Sequence, residues 1–336
     1  MTRLPEGVRS GLSDRVRDRV ECFLDDFNGT ILARKVLGVV VCGSAARGEE
    51  VWDGDRLLSD IDIMLLTRRT DPRLMAAAGP ILARHRSDGI DGGPMPLGPL
   101  RTHATMLIYE TRANGVVVAG DVDLKALAGP FEAAQIPAWE GFRVLANRML
   151  EHVKAIDDRV PAERAVAKGY EALAEASLVA EGRYLPTYRT RMDELERRPP
   201  AGVDPAVVAR MTGVLHQRLD GGPAVDVRPA TARGDLVDGL ARLGALVTGE
   251  PGDAATQLGV LARSSVNWKH RAWWTAVMLS RRRLRSIPLR TDPSIAIWRR
   301  ALEVVTDPAR LASDPALLGD WHDCPQIIQK RRSPAP

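Results

Sequence analysis

Residues 43–63 read "GSAARGEEVWDGDRLLSDIDI", with a Gly-Ser corner at the start, Arg47 a turn later, and Asp60 and Asp62 at the end. Just upstream, "VLGVVVC" (36–42) is a β-branched run too short for a helix and reads as a buried strand. "SDIDIMLLT" (59–67) alternates and then turns apolar, the pattern of a central strand. Asp60 and Asp62 stand at i and i+2 of that strand, so both side chains leave one face of the sheet. Two ionised carboxylates this close repel unless a cation lies between them, and such hard oxygen ligands suit magnesium or manganese. Two cations about 3.5–4 Å apart clamp the attacking and leaving oxygens of a phosphoryl displacement. The corner complements them. Its unpaired backbone N–H groups can bind phosphate, Gly43 permits close approach and the Ser44 hydroxyl adds a donor. Arg47 is placed either to contact a phosphate or to brace the aspartates through a bidentate pair.

Outward from this segment, residues 13–27 have the spacing of an amphipathic helix, with Val16, Val20, Leu24 and Phe27 on one side and Ser13 as its cap. Residues 71–86 are also helical in period, through Leu74, Met75, Ile81 and Leu82. In "GIDGGPMPLGPL" (89–100) the density of Gly and Pro restricts any strand to a short, edge or bulged one. "ATMLIYETR" reads as a helix and "GVVVAG" (115–120) as a strand. From about 131 the chain changes to Ala-, Leu-, Arg- and Glu-rich stretches of helical spacing at 139–156, 161–182 and 204–219, with loops expected at 197–202 and 220–235. The expectation is two domains, 1–130 of mixed structure and 131–336 mainly helical.

Composition narrows the class. The chain has 336 residues, 45% hydrophobic and 27% charged, as ordinary globular proteins do. Cys22, Cys42 and Cys324 have no metal-site spacing, which fits a reducing cytoplasm and not a structural zinc. No apolar run suits a signal peptide or a bilayer span, so a cytoplasmic protein with no membrane partner is expected. The net charge is +4, and residues 263–300 hold ten Lys/Arg against one acid, Asp292. With Trp268, Trp273 and Trp274 that segment offers base stacking and phosphate neutralisation, although such tryptophans more often fill a helical core, and nucleic acid is not the favoured partner.

The ordered set Cys42-Gly43-Ser44, Arg47-Gly48 and Ser59-Asp60-Ile61-Asp62-Ile63 resembles the nucleotidyltransferases of the DNA polymerase beta superfamily, particularly the minimal and aminoglycoside types. The fifteen-residue spacer between Ser44 and Asp60 is longer than usual for that family, with "VWDGDRL" as an inserted loop. The resemblance implies an α+β fold: a mixed sheet with flanking helices, followed by an all-α bundle that closes the active-site cleft. It implies transfer of a nucleoside monophosphate from an NTP, with two Mg²⁺ ions (Mn²⁺ as the alternative), to a hydroxyl or phosphate of a small-molecule or protein acceptor, releasing pyrophosphate. Asp60 and Asp62 would hold the metals. A third carboxylate, Asp91, would complete the site and activate the acceptor, with Asp121 and Asp123 as the fallback. Gly43, Ser44, Arg47, Ser59 and Lys168 fall at the nucleotide.

Residues 141–195 resemble the HEPN-like helical partner of such enzymes, which implies Arg183, Tyr184, Tyr188 or Arg189 on the acceptor side. HEPN bundles also include ribonucleases built on an Arg and a His of one helix, and Arg263 and His270 have that spacing, with only Ser264 as the adjoining polar residue. The basic second half disfavours a polycationic aminoglycoside as acceptor. A non-catalytic nucleotide-binding or toxin–antitoxin-type partner protein is the alternative from another class, and a homodimer is left open.

Overall fold

The strand expected at 36–42 forms as β1 (Gly38–Cys42), and all five of its residues are buried. This is what an uninterrupted β-branched run requires of its surroundings. The computed structural model describes residue 4 and residues 11–69, 71–221, 225–264, 268–280 and 291–324. The fold is α+β, 63% helical with a small mixed sheet of four strands. The chain divides into two units, one comprising 1–136 with 184–193 and 218–220, the other comprising the remaining residues.

In the first unit α1 (Asp14–Asn28) buries Val16, Val20, Leu24 and Phe27, as its period requires. Ser13 stands at its N-cap but does not cap it with its side chain. Its hydroxyl donates instead to Glu50 Oε1 at 2.5 Å. After β1 come a short hairpin, β2 (Trp52–Asp53) and β3 (Arg56–Leu57), then β4 (Ile61–Thr67), α2 (Pro72–Arg84), β5 (Ile90–Pro96), α3 (Leu97–Thr102), α4 (Met106–Asn114), β6 (Val116–Ala119) and α5 (Leu124–Leu127). The sheet order is β5-β4-β1-β6. β1 is antiparallel to β4 and β6, and β4 is parallel to β5. Val39, Val41, Ile61, Ile63 and Leu65 turn to the face that packs with α1 and α2 residues in one apolar core.

The region 89–100 holds a seven-residue strand at the sheet edge, one of the three forms that its glycines and prolines allow. Gly92 makes it possible: at φ +142° it lies so close to β4 that a Cβ would sit 1.9 Å from the Ile63 carbonyl oxygen. The inserted spacer is an ordered hairpin and not a slack loop. Arg15 and Arg19 stack on the Trp52 ring at 5.1 and 4.9 Å, and Arg15 donates to the Gly54 carbonyl at 2.6 Å. Arg19 reaches the Asp55 and Asp88 carbonyls at 3.2 and 2.5 Å.

In the second unit α6 (Ala138–Ile156) and α7 (Ala162–Ala180) form a helical hairpin. Tyr188–Arg197 (α8) and Pro205–Asp220 (α9) follow, shared in part with the first unit. Next come α10 (Pro229–Thr248), α11 (Ala254–Ser264), α12 (Trp268–Ser280), α13 (Pro293–Thr306) and α14 (Leu317–Asp323). Small residues let the helices approach. A Cβ on Gly141 would stand 3.0 Å from Ala176 Cα, and one on Gly239 2.5 Å from a Leu173 methyl. Trp139, Phe142 and Trp298 cluster into an aromatic centre, with ring centroids 5.7–6.3 Å apart and Trp139 stacked on Phe142. The loop expected over 220–235 ends early, because Pro229 occupies the first turn of α10, where its missing N–H costs nothing. Among the described residues no helix is long and apolar enough to cross a membrane.

Candidate active site in the first unit

The bend that leaves β1 is built from two left-handed glycines around a single 3₁₀ turn. Gly43 has φ +68°, Ala45–Arg47 form the turn, and Gly48 closes it at φ +66°. The Ser44 carbonyl accepts from the N–H groups of Arg47 and Glu49 at 3.1 and 3.0 Å, and its hydroxyl does not cap the turn. Gly43 is needed for space as well as for its conformation. A Cβ there would lie 2.1 Å from Asp62 Oδ2, so the Asp62 carboxylate occupies the place a side chain would take.

Strand pairing brings two of the candidate acids together. Cys42 on β1 is in register with Asp62 on β4, and Asp62 with Asp91 on β5. Residues in register on adjacent strands share a face, with strands about 4.8 Å apart. Asp60 lies one residue before β4 and is exposed, as is Asp91. Asp91 Oδ1 accepts from the Gly92 N–H at 2.8 Å. Among the described residues no group of three or more His, Cys, Asp and Glu is arranged to hold a metal ion. The fallback acids are placed otherwise: Asp121 is exposed, and Asp123 caps α5, accepting from the N–H groups of Lys125 and Ala126 at 2.9 and 3.2 Å.

The remaining candidates have other partners. Ser59 is buried and its Oγ accepts from Val51 N–H at 3.2 Å, which ties the base of the hairpin shut. Arg47 braces neither aspartate. Its Nε donates to Glu49 at 2.8 Å and its Nη1 to Glu110 at 2.6 Å, with the side chain only 3% exposed. Burial opposes the charge of Arg47, but Glu110 and Glu49 outweigh that effect and raise its pKa. Lys168 lies in the second unit, paired with Glu171 at 3.0 Å. Arg183 is also in that unit, paired with Glu181 and Glu194.

Sequence reasoning missed the residue that organises this face. Glu110, on α4, accepts from Arg47, from Arg191 and from the Tyr184 hydroxyl. Burial alone pushes its carboxyl upward, but Arg191, Arg47 and the hydrogen bonds hold it below the usual carboxylate range. Glu49 does a similar task one step along the bend, accepting from the backbone N–H groups of Tyr188 and Arg189 at 3.0 Å each. The guanidinium groups of Arg47, Arg191 and Arg218 lie 5.0, 4.9 and 4.4 Å from the centre of the Tyr188 ring. Segment 184–193 is therefore fastened to the bend through two carboxylates. The one local hint was Glu110 itself, an acid flanked in sequence by residues of an apolar helical pattern. The neighbouring Cys42 thiol is pushed well above its ordinary pKa by burial and then by Asp62 and Glu110. Burial thus disfavours the thiolate, the form in which a cysteine acts as nucleophile.

In the second unit Trp274 is a core residue, 1% exposed. The side chains of Trp268 and Trp273 lie outside the described residues, as do that of His270 and residues 265–267, on which the Arg263–His270 pairing depends. Comparison with protein-family models, curated proteins and solved structures finds no match to this chain.

Proposed function

We propose that the chain is a metal-dependent nucleotidyltransferase, moving a nucleoside monophosphate from an NTP to a hydroxyl or phosphate of an acceptor. The observation that carries this reading is the contact between the bend and the acid pair: the Asp62 carboxylate fills the space left by Gly43, with Asp91 in register beside it. Among the described residues the three acids are not gathered into a metal-holding group, but aspartate oxygens are hard ligands whose chemistry suits a divalent cation. Asp60, Asp62 and Asp91 would hold it, and its chemistry there is to neutralise the triphosphate.

The chain's own residues do the rest. The backbone of Gly43 and Ser44 receives phosphate oxygens, and Ser44 adds a hydroxyl donor. Arg47 acts by fixing the bend against Glu49 and Glu110. Asp91 accepts the acceptor's proton as the acceptor oxygen bonds to the α-phosphorus and the bond to pyrophosphate breaks. Positioning and charge neutralisation supply most of the rate.

The test is thermal shift of the full chain with each of the four NTPs, with and without Mg²⁺, followed by pyrophosphate release against candidate acceptors. Stabilisation that needs both nucleotide and metal and disappears in Asp62→Asn supports the enzyme. Indifference to every nucleotide would make the chain a non-catalytic partner protein and end this reading.

A further inference from the structure

Glu49 leaves the bend and joins three stretches of chain in the first unit. Its N–H donates to the Ser44 carbonyl at 3.0 Å, one of the two bonds that close the bend. Its own carbonyl accepts from Arg218, near the end of α9, at 3.2 Å. Its carboxylate, only 8% exposed, takes the Tyr188 N–H on one oxygen and the Arg189 N–H on the other, each at 3.0 Å.

Those two N–H groups lie in the first turn of α8, where a helix has no acceptors of its own. Thr187 caps the next one locally, its Oγ1 accepting from the Thr190 N–H at 3.1 Å. The first two instead depend on a residue 139 and 140 positions away in sequence. The start of α8 is thus completed by the bend, and the bend is braced by α8. Arg47 adds to the junction, donating to the same Glu49 oxygen that takes the Tyr188 N–H, at 2.8 Å. Withdrawal of Glu49 would leave two helix N–H groups and a guanidinium with 3% exposure short of an acceptor, so partial opening is costly.

We propose that the bend and the first turn of α8 are one two-state device, closed together and open together, with Glu49 as the positioning residue that links them, and that a phosphate held by the bend favours the closed state. The ligand half rests on the nucleotidyltransferase reading. A triphosphate needs the N–H groups of the closed bend, so its binding favours the docked α8, and by reciprocity a docked α8 raises nucleotide affinity. Segment 184–193 is then a strap set by the nucleotide.

Hydrogen exchange of the full chain, read at the Tyr188 and Arg189 amides, tests this. Gly48 and Gly54 are both left-handed, at φ +66° and +55°, and a Cβ on either meets nothing within 4 Å. Alanine therefore strains the bend in one case and the β2–β3 turn in the other by a similar amount. Gly48→Ala should speed exchange at both amides about tenfold, the size of that strain. Gly54→Ala should leave them at the parent rate. Glu49→Ala removes the link, so adding Gly48→Ala to it should change α8 no further. Should Glu49→Ala fail to fold, the comparison of the two glycines decides alone. In the parent, Mg²⁺ and a nucleotide at about ten times its Kd should slow both amides about tenfold. Unchanged exchange in Gly48→Ala, or an equal rise in Gly54→Ala, overturns the device. If nucleotide raises the melting temperature but α8 exchanges as before, the coupling falls and the transferase reading stands. If the glycine variants behave as expected while no nucleotide binds, the junction stands and the transferase reading falls.

Discussion

Gly43 and Gly48 provide a controlled experiment on the bend. Their φ values are +68° and +66°, so an alanine at either meets the same backbone penalty, about 1–2 kcal/mol for a left-handed L-residue. Their surroundings differ. A Cβ on Gly48 meets nothing within 4 Å, whereas one on Gly43 meets Asp62 Oδ2 at 2.1 Å and Cγ at 3.1 Å. Gly43→Ala must therefore displace the carboxylate as well, for a further cost of about 1–3 kcal/mol, the size of an overpacked site. In an Asp62→Ala background the obstructing atoms are gone, because Asp62 Cβ is 3.4 Å away, an ordinary contact. Gly43→Ala should then cost no more than Gly48→Ala, which gives a double-mutant coupling of about 1–3 kcal/mol. Hydrogen exchange of peptides spanning β1 and β4 reads this free energy without the second unit contributing. Equal costs for the two alanines in both backgrounds would show that Asp62 does not rest against the bend, and the site assignment would go with it.

Three further outcomes follow from Glu110, His152 and Gly92. Glu110→Gln leaves Arg47 and Arg191 buried without their shared carboxylate and should cost about 3–5 kcal/mol in urea unfolding of the first unit. Because the folded Glu110 pKa is depressed, its contribution is present above the ordinary carboxylate pKa and fades as pH falls through the folded value. That acid-limb loss should be absent from Glu110→Gln. His152, 2% exposed, is held at a pKa of about 4 by burial and then by Arg233, against an ordinary 6.5. The unfolded state takes the proton first, so the second unit should lose stability as pH falls from about 6.5 towards 4, by roughly 3 kcal/mol in full. NMR titration of the His152 ring checks the cause, and an unshifted ring would refute it. Gly92→Ala, whose Cβ would strike the Ile63 carbonyl, should detach β5 and expose its amides to exchange while β1 and β6 stay protected.

Some of this was legible in the chain and some was not, for physical reasons. β1, β4 and α1 follow from local periodicity, and each buries the residues its pattern selects. The contact of the bend with Asp62 is also local, since one antiparallel pairing carries Cys42 to Asp62. β5 was obscured because glycine and proline signal a break, and the need for Gly92 arises only from the neighbouring strand. Glu110 was invisible as a centre because its partners Arg47 and Arg191 are 63 and 81 residues away in sequence. Nothing in a local window marks an arginine as destined for burial. Arg47 was accordingly read as a phosphate or aspartate ligand, whereas its hydrogen bonds go to glutamates.

The composition of β5 has a consequence for solution behaviour. It is an outer strand of the sheet, and two of its seven residues, Pro94 and Pro96, have no N–H to offer a further strand. An incoming chain would find gaps in the ladder it needs, so this rim is a poor template for fibril growth. The glycine and proline content of β5 thus blunts this one edge of the sheet against pairing with another chain.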